Sequence, residues 1–170
     1  MMKKQLKWFV FATCFLVGIV SCSKDEEEAK EQRLINKENK EAGEAFLQNN
    51  ANQSGVVQTG TKLQYEIKVQ GDGIRPDKED SVNVNYTGKL IDGTVFTSVT
   101  GETLLLGNQI EGFKEGLLFM REGSKHILYI PQHLAYKATS KTVSYNGEAI
   151  TILPFSVLIF EVTLNKVIRN

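Results

Sequence analysis

The residues of this chain that ordinary catalysis would use are two histidines, two cysteines and scattered carboxylates, and their spacing serves none of it. There is no GxSxG elbow to activate a serine, no phosphate loop, no HExxH pair for zinc and no CxxC pair for redox exchange. His126 falls on a predicted strand and His133 in a loop, seven residues apart, and both read as structural or solvent-facing. Asp92 stands in a turn dipeptide with Gly93, and Glu111 opens a predicted helix, so each carboxylate already has a structural role. An enzyme built from this chain is expected to work without a nucleophile, a metal or a cofactor.

Composition narrows the classes further. With 170 residues, 41% apolar and 24% charged, the chain has room for one domain with a true core. The formal net charge is zero, and no basic run is interleaved with aromatics, which argues against nucleic acid as a partner. At the N-terminus Lys3, Lys4 and Lys7 precede an apolar run from Trp8 to Val20, the order of a signal peptide and too short for a comfortable transmembrane helix. Ile19-Val20-Ser21-Cys22 resembles a bacterial lipobox, which implies a signal peptide over 1–21 and lipidation of Cys22 as the first mature residue. Acyl chains on Cys22 would anchor the protein to a membrane. The acidic SKDEEE that follows reads as a solvated tether, and it also resembles the export signal of some surface lipoproteins of Gram-negative bacteria. An outer membrane lipoprotein, on the periplasmic face or the cell surface, is the expected location.

Downstream, residues 26–49 hold good helix formers without proline and a thin apolar stripe at Ile35, Ala42 and Phe46. That stripe is too narrow for a sustained coiled coil, so residues 22–55 are read as tether and exposed helical stalk, on a monomer or weak dimer. Over 56–170 the period changes. Leu63, Tyr65, Ile67 and Val69 alternate as a strand, and Val82, Val84 and Tyr86 begin another that turns at Asp92-Gly93 into a partner through Thr97. Leu104 to Leu106 reads as a short strand. Ile110, Phe113, Leu117 and Met120 recur at helical spacing, with Gly112 and Gly116 allowing a close approach to a sheet. Lys125 to Ile130 and Val157 to Leu164 are further strands, and Asn146-Gly147 marks a hairpin or loop tip. The sum is α+β: a curved antiparallel sheet of five or six strands wrapped around one short helix.

Four blocks then carry a resemblance. YTGKLIDGTVF, IEGFKEGLLFMREGSK, YIPQHLAY and ILPFSVLIFEVTL, in that order, resemble the signature blocks of the FKBP-type peptidyl-prolyl cis-trans isomerases. FLQNN and GTKLQYEIKVQGDG resemble the lead-in of periplasmic, lipoprotein-type members, so the likeness runs from about Phe46 to Ile168. It implies an apolar pocket that rotates X–Pro bonds in unfolded or secreted polypeptides outside the cytoplasm. By the same likeness Tyr86 and Phe96 form one wall, Phe113 the floor and Phe160 the back. The Ile110 amide and the Tyr136 hydroxyl meet substrate carbonyls, while Gln109 and Ile152 line the rim.

The departures from the family pattern are specific. Thr97 stands where the family carries an acid, so a hydroxyl replaces the charge beside Tyr86. Gln109 replaces an aliphatic residue, and Lys137 replaces a glycine after Tyr136 at a turn that needs positive φ. The segment from Tyr136 to Ile152 is long, and the one from Phe96 to Gly107 is short. These changes leave the aromatic lining mostly intact and raise a second reading, an FKBP-like binding or holdase module with little catalysis.

Overall fold

The computed structural model describes the backbone of residues 17–169 and the side chains from Lys24 onward. The basic n-region and the apolar run as far as residue 16 lie outside the described residues, as does the side chain of Cys22. The first helix, α1, runs over Val17–Asn50. The chain divides between Lys37 and Glu38 into two compact units. In the first, the described side chains of α1 are almost all exposed, Leu34 among them. Among the described residues no helix is long and apolar enough to cross a membrane.

The second unit holds the end of α1 and all the strands. Here only Phe46 of the expected stripe lies on the packing face, because Ala42 is exposed and Gly43 is buried. Asn39 Nδ2 donates to the Pro154 carbonyl at 2.6 Å and to Ser156 Oγ at 3.1 Å, and Asn50 Nδ2 donates to Gln64 Oε1 at 2.8 Å. Phe46 meets the Tyr129 ring at 6.1 Å. Residues 39, 43, 46 and 50 share a face at helical spacing, and because that face is mostly amide and glycine, hydropathy alone does not mark it.

Six strands form one sheet: β1 (Val56–Gln58), β2 (Gln64–Val69), β3 (Ser81–Lys89), β4 (Val95–Leu105), β5 (Lys125–Ile130) and β8 (Leu158–Ile168). Their order is β1-β2-β5-β8-β3-β4, with every neighbouring pair antiparallel. β6 (Lys141–Tyr145) and β7 (Glu148–Ile152) make a separate hairpin closed at Asn146-Gly147, both at positive φ, as the turn dipeptide leads one to expect. Leu104 and Leu105, read from sequence as part of a separate strand, instead end a single long β4. β1 has no sequence signal in its polar surroundings.

The alternation that identifies the strands also builds the core. Val82 and Val84 of β3, Leu128 and Ile130 of β5, and Leu158, Val162 and Leu164 of β8 are fully buried on one face of the sheet. The helix α2 (Glu111–Phe119) packs its Phe113 and Leu117 into the same cluster. A Cβ added at Gly112 would overlap Ile130, and one at Gly116 would overlap Leu128, so both glycines permit close seating of α2 on β5.

Two features of this frame have measurable consequences. His126 on β5 is buried, stacks on Tyr65 at 5.8 Å, and has no hydrogen-bond partner at either ring nitrogen among the described residues. Burial, reinforced by the nearby Arg75 charge, pushes its pKa below the ordinary value, so as pH falls the unfolded chain takes up this proton first. The unfolded state then binds more protons, and stability declines as pH drops below about 6.5. Denaturant titrations are expected to show that decline in the parent and to lose much of it in His126→Leu; an unchanged pH dependence would exclude the buried imidazole as its source. Lys137 keeps the positive φ of the expected glycine, at 57°, with its amide donating to the Gln132 carbonyl at 3.0 Å and its own carbonyl accepting from Phe155 N–H at 2.6 Å. Its side chain is exposed, so Lys137→Gly relieves left-handed strain without opening the core and is expected to raise stability by about 1 kcal/mol. A lower denaturation midpoint at unchanged denaturant slope would contradict this.

Candidate functional site

Aromatic side chains from four different elements converge on the helix side of the sheet. Tyr86 comes from β3, Phe96 from β4, Phe160 from β8 and Phe113 from the first turn of α2. Phe113 and Phe160 lie 4.9 Å apart, Phe96 and Phe160 5.6 Å, and Tyr86 stands 5.5 Å from Phe113 and 6.0 Å from Phe160. Interplanar angles of 59° to 89° put ring edges against ring faces, the arrangement that the ring quadrupole favours. The three phenylalanines are buried, and Tyr86 is only half-buried.

Gly88 sets how closely these rings meet. It pairs with Thr97 on one side and Phe160 on the other. A Cβ there would lie 2.7 Å from Phe96 Cζ, 2.7 Å from Thr97 Cγ2 and 2.8 Å from Phe160 Cε1, closer than carbon atoms pack. The missing side chain at Gly88 is therefore the space into which the rings fit.

The polar groups lie around this cluster. Ile110 precedes α2 as its N-cap, and its carbonyl accepts from Phe113 N–H at 3.1 Å and Lys114 N–H at 3.0 Å. Among the described residues its own amide donates to no backbone carbonyl, as is usual for the first amides of a helix. Tyr136, half-buried, has its pKa raised by burial, and its hydroxyl makes no hydrogen bond within the described chain. Gln109 is half-buried and turned inward on its own loop, with Nε2 donating to the Leu105 carbonyl at 3.3 Å. Ile152 departs from its expected place: it is fully buried within the core cluster and is not an exposed rim residue. Its position at the end of β7 carries it beneath the surface, which the length of the loop did not reveal.

Thr97 is half-buried beside Gly88. The Tyr86 hydroxyl nevertheless has an acid partner, since it donates to Glu102 Oε2 at 2.9 Å. Burial foremost, then this hydrogen bond and the Glu102 charge, push the Tyr86 pKa up to about 12, while the Thr97 hydroxyl acts weakly in the other direction. Sequence reasoning missed Glu102, which lies five residues beyond the position where an acid was sought. Its nearest signal is Gly101 within a strand-forming run, a common mark of a bulge. Among the described residues no group of three or more His, Cys, Asp or Glu side chains could hold a metal ion.

The arrangement is an apolar aromatic cluster with the Ile110 amide and the Tyr136 phenol, both without a hydrogen-bond partner among the described residues, packed near it. Residues 73–165 match the family described as FKBP-type peptidyl-prolyl cis-trans isomerase, and residues 15–67 match the domain amino terminal to it. A probable FKBP-type peptidyl-prolyl cis-trans isomerase FkpA of Neisseria meningitidis serogroup B is 43% identical over 135 residues, 77% of this chain and 47% of its own length. Outer membrane protein MIP of Legionella longbeachae is 43% identical over 115 residues, 64% of this chain and 49% of its own. The chain thus spans about half the length of these curated relatives. The crystal structure of FkpA from Escherichia coli superposes with a TM-score of 0.79 at 27% identity, covering 94% of this chain and 75% of that one. With more than half of its length matched and its fold shared, the chain belongs to the FKBP-type peptidyl-prolyl cis-trans isomerase family.

Proposed function

We propose that this protein is a peptidyl-prolyl cis-trans isomerase that acts on proline-containing unfolded or secreted polypeptides outside the cytoplasm. The observation that carries this reading is the four-ring cluster with the Ile110 amide and Tyr136 hydroxyl, unpaired among the described residues, beside it. Rotation about an X–Pro bond makes and breaks no covalent bond. It requires loss of amide resonance across a barrier of about 18–20 kcal/mol, which leaves the uncatalysed reaction at tens to hundreds of seconds. The planar amide owes its stability to a charge-separated resonance form, and water favours that form. Seating the proline against Phe113, Phe96, Phe160 and Tyr86 removes the water, while donors aimed at the carbonyls favour the twisted state. Lowering the barrier by about 7 kcal/mol would accelerate rotation about 10⁵-fold.

In this reading Phe113 is the floor, Tyr86 and Phe96 one wall, and Phe160 the back. Ile110 N–H and Tyr136 Oη hold substrate carbonyls, Thr97 and Gln109 tune the polar edge, and Ile152 supports the site from within the core. The lipobox-like segment ending at Cys22 fits a lipid-anchored protein of the outer membrane, with residues 1–21 as its signal peptide. Residues 22–55 would then be tether and stalk, and 56–170 the isomerase domain. The relative named outer membrane protein MIP supports that placement.

A second reading, a binding or holdase module with little turnover, is favoured by Thr97 and by the strained Lys137 next to Tyr136. Proline-limited refolding of a test protein separates the two. The isomerase reading expects catalytic amounts of the parent to speed the slow phase, Phe113→Ala to reduce the effect at least about tenfold and Tyr136→Phe to reduce it severalfold, tenfold corresponding to about 1.4 kcal/mol. An unaltered slow phase with folded parent, or suppression of aggregation that survives Phe113→Ala, supports the binding module.

A further inference from the structure

Glu102 stands outside the set of residues that the family resemblance implies, yet it holds the hydroxyl of a wall residue of the proposed pocket. Its position comes from an irregularity in β4. Val84 pairs with Glu102 and Tyr86 with Val99, so β4 carries one residue more than β3 across this interval. Gly101 supplies the left-handed backbone the bulge needs, at φ +70°. Asparagines on the opposite face fix it there: Asn83 Nδ2 donates to the Gly101 carbonyl at 2.8 Å, and Gly101 N–H donates to Asn85 Oδ1 at 2.8 Å. Asn165 of β8 donates to Oδ1 of both asparagines at 3.0 Å, which ties the bulge to the central strand. Removing one residue from β4 would turn Glu102 to the outward face, because a one-residue slip reverses every side chain of a strand.

We propose that Glu102 is a positioning residue of the isomerase site, a carboxylate delivered by the β4 bulge that accepts a hydrogen bond from the Tyr86 hydroxyl in place of the acid missing at Thr97. This rests on the isomerase reading. A carboxylate acceptor makes a hydrogen bond roughly twice as strong as a neutral one, so Glu102 outcompetes the Thr97 hydroxyl for Tyr86. The consequence is a division of labour between two phenols. Tyr86 has its proton committed and its ring pinned edge-on to Phe113, while Tyr136 keeps a proton to give a substrate carbonyl. The same bond ties β4 to the wall, so the shortened segment after Phe96 does not swing free of the pocket.

The test is a set of double-mutant cycles on the full chain in detergent, measuring kcat and KM on X–Pro peptides. Glu102→Ala is expected to lower kcat/KM about three- to tenfold, mainly in kcat, and Glu102→Gln, which keeps an acceptor oxygen, to retain more activity. In a Tyr86→Phe background Glu102→Ala should cost nothing further, since the hydroxyl it serves is gone. Thr97→Asp should restore activity to Glu102→Ala. An equal loss in the Tyr86→Phe background would show a merely structural role and overturn the proposal, as would parental activity in Glu102→Ala. The Tyr86 ¹³Cζ resonance, read by NMR, needs no turnover and separates the two readings. If it moves in Glu102→Ala while the parent shows no catalysis, the contact stands and the isomerase reading fails; if it stays fixed while the parent is active, Glu102 positioning fails.

Discussion

Gly88 has no side chain because its neighbours occupy the space. Phe96, Thr97 and Phe160 approach to within 2.8 Å of where a Cβ would sit, and Phe113 and Tyr86 rest on the rings so placed. Everything else in the site follows from that close packing. β3 must run between β4 and β8 for Gly88 to face both Thr97 and Phe160, and α2 must seat on β5 through Gly112 and Gly116 for Phe113 to arrive. The rings are core residues and proposed site residues at once. Interiors pack at crystal-like density, so a cluster of this kind is rigid by construction, and a rigid apolar surface is what a twisting amide needs.

Polar chemistry is arranged around that surface with unusual economy. Position 97 holds a threonine, and the acid that meets the Tyr86 hydroxyl comes from farther along the same strand, through the bulge at Gly101 and the carboxylate of Glu102. At Lys137 no compensation is made: a lysine adopts the left-handed conformation of a glycine, and its amide and carbonyl hold both sides of the turn. Strain of this kind persists only where the surrounding hydrogen bonds over-determine the backbone. Here it fixes the turn that follows Tyr136.

Much of this was legible in the sequence, and the reason is periodicity. Val82, Val84 and Tyr86 alternate, Ile110, Phe113 and Leu117 recur at helical spacing, and those two periods alone separate the strands from the helix they surround. Gly112 and Gly116 announced a close helix–sheet contact that the structure contains. What stayed hidden depends on register and depth. Glu102 reaches Tyr86 only because one extra residue lies between strand partners, and no hydropathy pattern encodes a single-residue bulge. The packing face of α1, with Asn39 and Gly43, is polar and small, so its burial rests on hydrogen bonds to Pro154, Ser156 and Gln64 that sequence spacing does not mark. Ile152 is apolar in either setting, and only the path of β7 decides that it is buried.

The central claim is that the geometry of the ring cluster carries the function. NMR exchange spectroscopy on an Ala-Pro peptide, with catalytic amounts of the full chain or of Gly88→Ala in detergent, tests it with the smallest possible change. Cis–trans exchange is expected to be accelerated by the parent, and that acceleration to be mostly lost in a folded Gly88→Ala, whose added methyl must push Phe96 and Phe160 apart. Equal acceleration by both proteins, or none by the parent, would contradict it.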